Sequence, residues 1–194
     1  LRRADDLRLL RDMKEQLRLA REIQVALLPR LAPEVPGYDV AGVSVPAETM
    51  GGDYYDFFRL DPNRWALWLG DVSGKGLPAS LLMANLQGAL RGQIASDRKL
   101  NRSMRLAGRV LFRNTEMDKF ATVFCCILDT RDHTLTYCNA GHEPPFHLGR
   151  EPRPARLAVG GTVLGAFEDY AYRQDTVTVA ADDVLVAFSD GVVD

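Results

Sequence analysis

The sequence is poor in cysteine, has almost no excess charge and contains no long apolar run. Its 194 residues include three cysteines, 24 lysine and arginine residues and 26 aspartate and glutamate residues, which give a net charge of −2 at pH 7. A chain this close to neutral has no general field that would attract nucleic acid. No apolar stretch approaches the roughly 20 residues that span a bilayer, and the charged N-terminus does not have the pattern of a signal peptide.

The cysteines also argue against a disulfide framework. Cys125 and Cys126 are adjacent, and neighbouring residues of a strand point to opposite faces, so these two are poor partners for each other. Together with Cys138 they are expected to be reduced residues of the core. Reduced thiols predict a cytoplasmic location.

What the sequence does contain is enough apolar surface for one packed domain with an appendage, since hydrophobic residues make up 46% of it and charged residues 26%. The appendage is a predicted helix, because residues 1–28 contain neither glycine nor proline and Pro29 follows. A heptad-like seam, apolar except at Gln24, recurs in it at alternating spacings of three and four: Leu10, Met13, Leu17, Ala20, Gln24 and Leu27. We assign residues 1–30 to this linker helix and residues 31–194 to the globular domain.

Two interpretations of the linker helix stay open at this level. It either folds back on its own domain or serves as a dimerising or signalling helix joined to a sensor. Within the domain, the patterns predict strands and two helices. The predicted strands are 38–45, 55–60, 64–70, 121–128, 133–139, 173–179 and 184–188, and the predicted helices are 77–94 and 100–114. Strands and helices do not alternate one for one, so we expect an α+β fold of antiparallel sheet with helices packed on it.

Three aspartates stand out because each lies beside glycine or at the end of a predicted strand. Asp53 follows Gly51 and Gly52, Asp71 follows an apolar strand, and Asp190 lies in Ser-Asp-Gly after the predicted buried strand 184–188. A carboxylate at such a place is costly unless something pairs with it. Three carboxylates could share a divalent cation such as Mg²⁺ or Mn²⁺, whereas each motif alone is also an ordinary turn sequence.

Other common sites find less support. The histidines have no cysteine at zinc-site spacing, the chain has no Gly-x-Ser-x-Gly sequence, and the glycines at 74 and 76 lack the rest of a Walker loop. His142 could act as a general acid or could order the turn in which it lies. Asp56 could support the metal-binding acids or be a solvated strand residue.

Several motifs together resemble the SpoIIE/RsbU-type bacterial phosphatases, a branch of the metal-dependent PPM protein phosphatases. They are AREIQ at 20–24 with LLP at 27–29, GGDYYDF at 51–57, GDVSGKGLPASLLM at 70–83, ATVFCCILD at 121–129, YCNAGHEPP at 137–145 and FSDG at 188–191. They occur in the order that this family shows them and cover nearly all of the chain after about residue 18. The resemblance implies a PPM-like antiparallel β-sandwich flanked by helices.

The resemblance also implies a site and a reaction. Asp53 matches the first metal-binding acid, Asp71 the acid that bridges two metals, and Asp190 the acid of the later motif, while Val72 would offer its carbonyl. With two Mn²⁺ or Mg²⁺ ions the domain would hydrolyse phosphoserine or phosphothreonine on a protein, commonly an anti-sigma-factor antagonist in a partner-switching pathway. Independently of the resemblance, the seam of the N-terminal helix could form a homodimer.

The chain departs from the family pattern at one place. The family has a further aspartate in an Asp-Asp-x-Thr segment, and this sequence ends at Asp194 before such a segment, so we expect the domain to be C-terminally incomplete. Two alternatives to the protein phosphatase therefore stay open: a catalytically weak phosphatase-like binding or signalling module, and a hydrolase of small phosphoesters.

Overall fold

A computed structural model describes residues 2–45, 51–97, 99–115, 119–150 and 153–192 of the chain. Three α-helices and nine strands make up most of these residues. In chain order they are α1 (Arg2–Leu27), β1 (Tyr54–Arg59), β2 (Arg64–Val72), α2 (Gly76–Ser96), α3 (Leu100–Asn114), β3 (Ala121–Asp129), β4 (Thr134–Ala140), β5 (Phe146–Leu148), β6 (Ala155–Arg156), β7 (Gly160–Gly161), β8 (Asp175–Thr178) and β9 (Val184–Val186). None of the helices in the described ranges is long and apolar enough to cross a membrane.

The larger sheet has the strand order β1-β2-β3-β4-β7, and β8 also pairs with β4. All of its pairs are antiparallel except the short β4–β7 pair. Two hairpins, β1–β2 and β3–β4, dominate it. The Asp61 carboxylate accepts the backbone N–H groups of Asn63 and Arg64 at 3.0 Å in the first turn. The α+β fold predicted from the sequence is thus confirmed.

The sheet buries different residues on its two faces. One face packs against α2 and α3, and its core contains Trp68, Met83, Leu90, Met104, Leu111, Val123 and Cys125. The other face buries Val35, Phe124, Cys126, Leu128, Leu135, Tyr137 and Leu157. Alternation of side chains along β3 sends Cys125 and Cys126 to opposite faces, and all three cysteines are buried and free, as predicted.

The predicted strand 38–45 is wrong. Residues 39–45 form no strand, and Tyr38 makes only an isolated bridge with Val35. Gly37, whose φ is +80°, turns the chain between them. Tyr38 and Val40 instead pack against the second face of the sheet, so their apolar character reflects a covering loop rather than a strand.

The predicted burial of strand 184–188 is also wrong. The strand exists as β9, but Val184, Leu185 and Val186 are 52%, 37% and 41% exposed. β9 belongs to a separate three-stranded sheet of order β6-β5-β9, in which it pairs with β5 alone. A strand at the edge of a small sheet receives much less cover than the central strands of the larger one.

Helix α1 confirms the predicted N-terminal helix and shows where it touches the domain. Leu10, Met13 and Leu17 on the apolar seam are 53%, 53% and 41% exposed. Among the described side chains of the helix, those of the last two turns meet the domain: Gln24 is buried, and Leu27 packs against the core on the α2 and α3 side of the sheet. The helix therefore folds back on the domain only at its C-terminal end.

Candidate metal centre

Asp53 and Asp71 lie at the same end of the β1–β2 hairpin. Tyr54 pairs with Gly70 in the antiparallel register, so Asp53 and Asp71 each occupy the next position beyond that pair. Asp71 is the penultimate residue of β2, and Asp53 immediately precedes β1. Strand pairing alone therefore brings together two of the three aspartates that the sequence singles out.

Glycine is needed beside them because the backbone passes very close to β2. A Cβ added to Gly52 would lie 2.5 Å from the carbonyl oxygen of Val72 and 3.0 Å from Asp71 Oδ1. No real side chain tolerates the first of these distances, since that neighbour is backbone. The Gly52 backbone therefore lies directly against the Val72 carbonyl and the Asp71 carboxylate.

The third aspartate reaches this place from the far end of the chain. A short 3₁₀ helix, Asp190–Val192, follows Ser189, and the Ser189 hydroxyl donates a hydrogen bond of 3.0 Å to Asp53 Oδ2. Gly191 also faces this carboxylate, because a Cβ added there would lie 3.9 Å from Asp53 Oδ2. This segment and Asp190 are thus placed next to Asp53.

The three carboxylates influence one another. Burial, followed by the charges of Asp53 and Asp190, raises the pKa of Asp71 to about 6. Burial also raises the pKa of Asp53, and the charge of Asp190 adds to that rise, while the Ser189 hydrogen bond opposes it. Concentrated negative charge of this kind favours a bound cation.

The donor atoms fit a hard divalent cation. Carboxylate oxygens from Asp53, Asp71 and Asp190, with the Val72 carbonyl, are the ligand types that Mg²⁺ and Mn²⁺ prefer. In the part of the chain that the structure describes, no three aspartate, glutamate, histidine or cysteine side chains are close enough to hold one ion. The aspartates therefore share one end of the sheet without forming a closed cage around one point.

Asp56 has a different role from either of those considered from the sequence. It is fully buried, so it is not a solvated strand acid. Arg91 on α2 donates to it through Nε at 2.6 Å and Nη2 at 2.7 Å, and the Tyr54 hydroxyl donates at 2.6 Å. Since Tyr54 and Asp56 lie on the same face of β1, the pair ties β1 to α2 on the side of the sheet that bears the helices.

His142 lies in an ordered turn, as one of its two interpretations predicts. Its backbone N–H donates to Asn139 Oδ1 at 2.8 Å, and Asn139 Nδ2 donates to its carbonyl at 3.0 Å. Its ring Nδ1 is 2.8 Å from the hydroxyl of Thr122. Thr122, Asn139 and Ser189 were missed as site residues, because single polar residues on strands and turns give no periodic signal.

Known proteins resemble this chain in sequence and in fold. The family model described as Stage II sporulation protein E (SpoIIE) matches residues 61–194. The phosphoserine phosphatase RsbU of Bacillus subtilis (strain 168) is 32% identical over 182 residues, which are 93% of this chain and 54% of RsbU. The chain thus spans about half the length of this curated relative.

Solved structures share the fold. The SiaA-PP2C domain of Pseudomonas aeruginosa superposes with a TM-score of 0.73 at 18% identity, covering 91% of this chain and 71% of that one. RsbX in complex with magnesium superposes with a TM-score of 0.57 at 16% identity, covering 71% of this chain and 65% of that one. At these identities the likeness concerns the fold, which is that of a PP2C domain.

Proposed function

The chain belongs to the SpoIIE family, and we propose that it is the catalytic domain of a metal-dependent protein phosphatase that hydrolyses phosphoserine or phosphothreonine on a protein. The observation that carries the proposal is that Asp53, Asp71 and Asp190 lie at one end of the sheet, where burial and neighbouring carboxylates raise the pKa values of Asp53 and Asp71. The relative RsbU is a phosphoserine phosphatase, which supports this substrate class.

The proposed ligands are the three aspartates and the carbonyl of Val72, which would hold two Mn²⁺ or Mg²⁺ ions. RsbX, a structural neighbour, is known in complex with magnesium. When bound, such a pair of cations neutralises phosphoryl oxygens and makes water a nucleophile at neutral pH. The chain itself supplies the negative charge that retains the cations, and the Ser189 hydroxyl keeps the Asp53 carboxylate oriented. No protein nucleophile is needed in this scheme.

The test is Mn²⁺-dependent hydrolysis of a phosphoserine peptide by the complete protein. We expect Asp71→Asn to lower kcat/KM about 100- to 1,000-fold, the usual cost of removing one electrostatic stabiliser from an active site. Asp39→Asn is the matched control, because Asp39 is an exposed aspartate far from β2 in sequence, and it should leave the rate unchanged. Activity that persists both in chelator and in Asp71→Asn would refute the metal mechanism.

One observation favours a second candidate, a phosphatase-like binding or signalling module. The described carboxylates do not close around one point, which fits a catalytically weak site as well. Such a module would bind its partner protein tightly and hydrolyse nothing in the same assay. A comparison of the phosphopeptide with a free phosphomonoester separates the protein phosphatase from a hydrolase of small phosphoesters, because only the latter should turn over both equally.

We also propose that the protein substrate is an anti-sigma-factor antagonist of a bacterial partner-switching pathway, and that the reaction takes place in the cytoplasm, where such regulators act. Residues 1–30 would then be the linker that carries a signal to the phosphatase domain, residues 31–194. The exposed seam at Leu10, Met13 and Leu17 supports a homodimer through α1. The attached end of α1 supports the signal, since Gln24 Nε2 donates to the Gly51 carbonyl at 2.6 Å, two residues before Asp53.

Deletion of residues 1–18 from the otherwise complete protein tests this linker. We expect the dimer to dissociate and the phosphatase activity to change, measured by light scattering and by phosphopeptide turnover. Leu17→Gln on the seam should weaken the dimer, and the matched change Leu19→Gln on the opposite side of the helix, where Leu19 is 46% exposed, should not. Unchanged oligomeric state and activity after the deletion would remove the linker proposal.

A further inference from the structure

His142 is a buried imidazole with one satisfied and one unsatisfied nitrogen. The residue is 5% exposed, and its Nδ1 is 2.8 Å from Thr122 Oγ1. Its Nε2 is also buried and has no hydrogen-bond partner of normal geometry. A buried polar atom without a partner needs an explanation in the residues around it.

The ring is held where it is by the turn that presents it. Asn139 binds both the N–H and the carbonyl of His142. Gly141 adopts a φ of +68°, which favours glycine, and a Cβ there would lie 2.6 Å from Val163 Cγ1. These contacts fix the backbone of the turn, and the Thr122 hydroxyl orients the ring that the turn presents.

Parts of the candidate metal centre lie on both sides of the ring. On one side, Thr122 on β3 is directly opposite Asp71 on β2 in the sheet register. On the other side, the backbone of Phe188 interacts with the ring and raises its pKa, and the charge of Asp190 acts in the same direction. Only an acceptor can favour the protonated ring, so the Phe188 group that faces it is the carbonyl.

Burial nevertheless favours the neutral form of the ring. Burial lowers the pKa of His142 and is the largest influence on it. A neutral imidazole has one donor and one acceptor nitrogen. The carbonyl of Phe188 needs a donor, which leaves Nδ1 to accept a hydrogen bond from the Thr122 hydroxyl.

We infer that His142 is a positioning residue: its Nδ1 accepts from Thr122 and its Nε2–H faces the Phe188 carbonyl, so the ring sets the separation between the strand that carries Asp71 and the segment that carries Asp190. This inference rests on the proposed function, since it takes those aspartates as ligands. His142 acts through them and neither delivers nor removes a proton. Residues that orient metal ligands in this way typically change metal affinity 10- to 100-fold when replaced.

The main test is Mn²⁺ binding by the complete protein, followed by the electron paramagnetic resonance signal of free Mn²⁺. We expect His142→Leu to weaken binding at least about 10-fold, and His142→Gln, which keeps a donor near the position of Nε2, to recover part of that loss. His133→Leu is the matched control, because His133 precedes β4 whereas His142 follows the other end of that strand. Its ring binds Tyr38, so Mn²⁺ affinity should not change.

Thr122→Val provides a milder change if His142→Leu does not fold. Removal of this one hydroxyl should weaken Mn²⁺ binding about 2- to 10-fold. The double variant Thr122→Val, His142→Gln should bind Mn²⁺ no more weakly than His142→Gln alone if the glutamine no longer uses the Thr122 hydroxyl. In addition, nitrogen-15 NMR of the metal-free protein at pH 7 should show the neutral Nε2–H tautomer of His142. An Nδ1–H tautomer would overturn the hydrogen-bond scheme.

The outcomes separate this inference from the proposed function. Wild-type protein that binds no Mn²⁺ would refute the proposed metal centre itself. Wild-type protein that binds Mn²⁺, with folded His142→Leu that binds it equally well, would refute only the positioning role. Normal Mn²⁺ binding with a lost kcat and a lost pH-dependent limb in His142→Gln would also overturn it, because that pattern belongs to a general acid or base.

Discussion

Removal of Arg91 should destabilise the fold more than removal of its partner Asp56, although both belong to one ion pair. The Asp56 side chain is 0% exposed and the Arg91 side chain 47% exposed. Arg91 can turn its guanidinium to water when it loses its partner. Asp56 cannot, so without Arg91 a carboxylate stays buried with only the Tyr54 hydroxyl as a donor at 2.6 Å.

The magnitudes follow from this asymmetry. Arg91→Met keeps the apolar stem of the side chain but removes its charge, and leaving a buried charge uncompensated costs about 3–5 kcal/mol. In a chain of this size that corresponds to about 6–20 °C in Tm. Asp56→Asn keeps the shape and an acceptor for Tyr54, so it should cost only about 1–3 kcal/mol. The double variant should be more stable than Arg91→Met alone, because no charge remains buried.

Urea unfolding followed by circular dichroism measures these free energies. The slope with urea should not change, since the surface exposed on unfolding is the same. Arg102→Met is the control: Arg102 pairs with Asp97 at 3.1 Å and is 67% exposed, and exposed pairs contribute at most about 1 kcal/mol. The reasoning fails if Arg91→Met costs no more than Arg102→Met, or if the double variant is the least stable of the set.

Three further substitutions test the packing and the acid stability of the fold. Gly160→Ala should destabilise the fold by about 1–3 kcal/mol in urea unfolding, because the new Cβ would lie 1.8 Å from the Asn139 carbonyl oxygen. Gly88→Ala on α2 should instead stabilise the fold by about 0.5–1 kcal/mol, because no atom lies within 4 Å of the new Cβ. The backbone N–H of Ala180 and the ring of His147 lower the pKa of Asp183 in the folded protein. The charged Asp183 therefore stabilises the fold fully above its unfolded-state pKa, and this stabilisation is lost as the pH falls through the lowered folded-state pKa. Asp183→Asn should therefore flatten the acid limb of stability against pH, and an unchanged limb would contradict this.

The helices and hairpins could be predicted because their signals are local. Residues 2–27 contain neither glycine nor proline, the two residues that break helices. In the turn at residues 61–63 the side chain of Asp61 accepts a backbone N–H, as aspartate usually does in such turns. Val43 and Val45 in the segment 38–45 are exposed. Tyr38 and Val40 could not be distinguished from strand residues, because covering a sheet and forming one both require apolar residues. Only the absence of a neighbouring strand to pair with distinguishes them, and that is a tertiary property.

The part of the candidate site that depends on local structure was also predictable, and the part that depends on the path of the chain was not. Once residues 54–72 are known to form a hairpin, Asp53 and Asp71 must lie at one end of it. The approach of Asp190 depends on the path of the chain through the second sheet, which no pattern in the sequence specifies. The Ser-Asp-Gly turn and the motifs shared with a family single out Asp190, but neither shows which residues it approaches. The Asp56–Arg91 pair had no such motif to reveal it, because an arginine on a helix usually faces water.

The last prediction concerns how the aspartates affect folding and metal binding in opposite ways. At pH 7 a charged Asp71 is unfavourable in the metal-free fold, since burial and two neighbouring carboxylates raise its pKa to about 6. That rise corresponds to at most ~3 kcal/mol, and solvent screening at this half-buried site lowers the expected effect to about 1–2 kcal/mol. Asp71→Asn should stabilise the protein in chelator by this amount.

With Mn²⁺ the order should reverse. A metal that binds only the folded state stabilises the wild type by about 2.7 kcal/mol at 100 times its Kd, and Asp71→Asn should lose most of that gain. Urea unfolding in chelator and in excess Mn²⁺, with Asp39→Asn as control, measures both effects. Equal stabilisation of wild type and Asp71→Asn by Mn²⁺ would mean that the metal binds elsewhere, and a less stable Asp71→Asn in chelator would mean that the carboxylates do not repel one another in the fold.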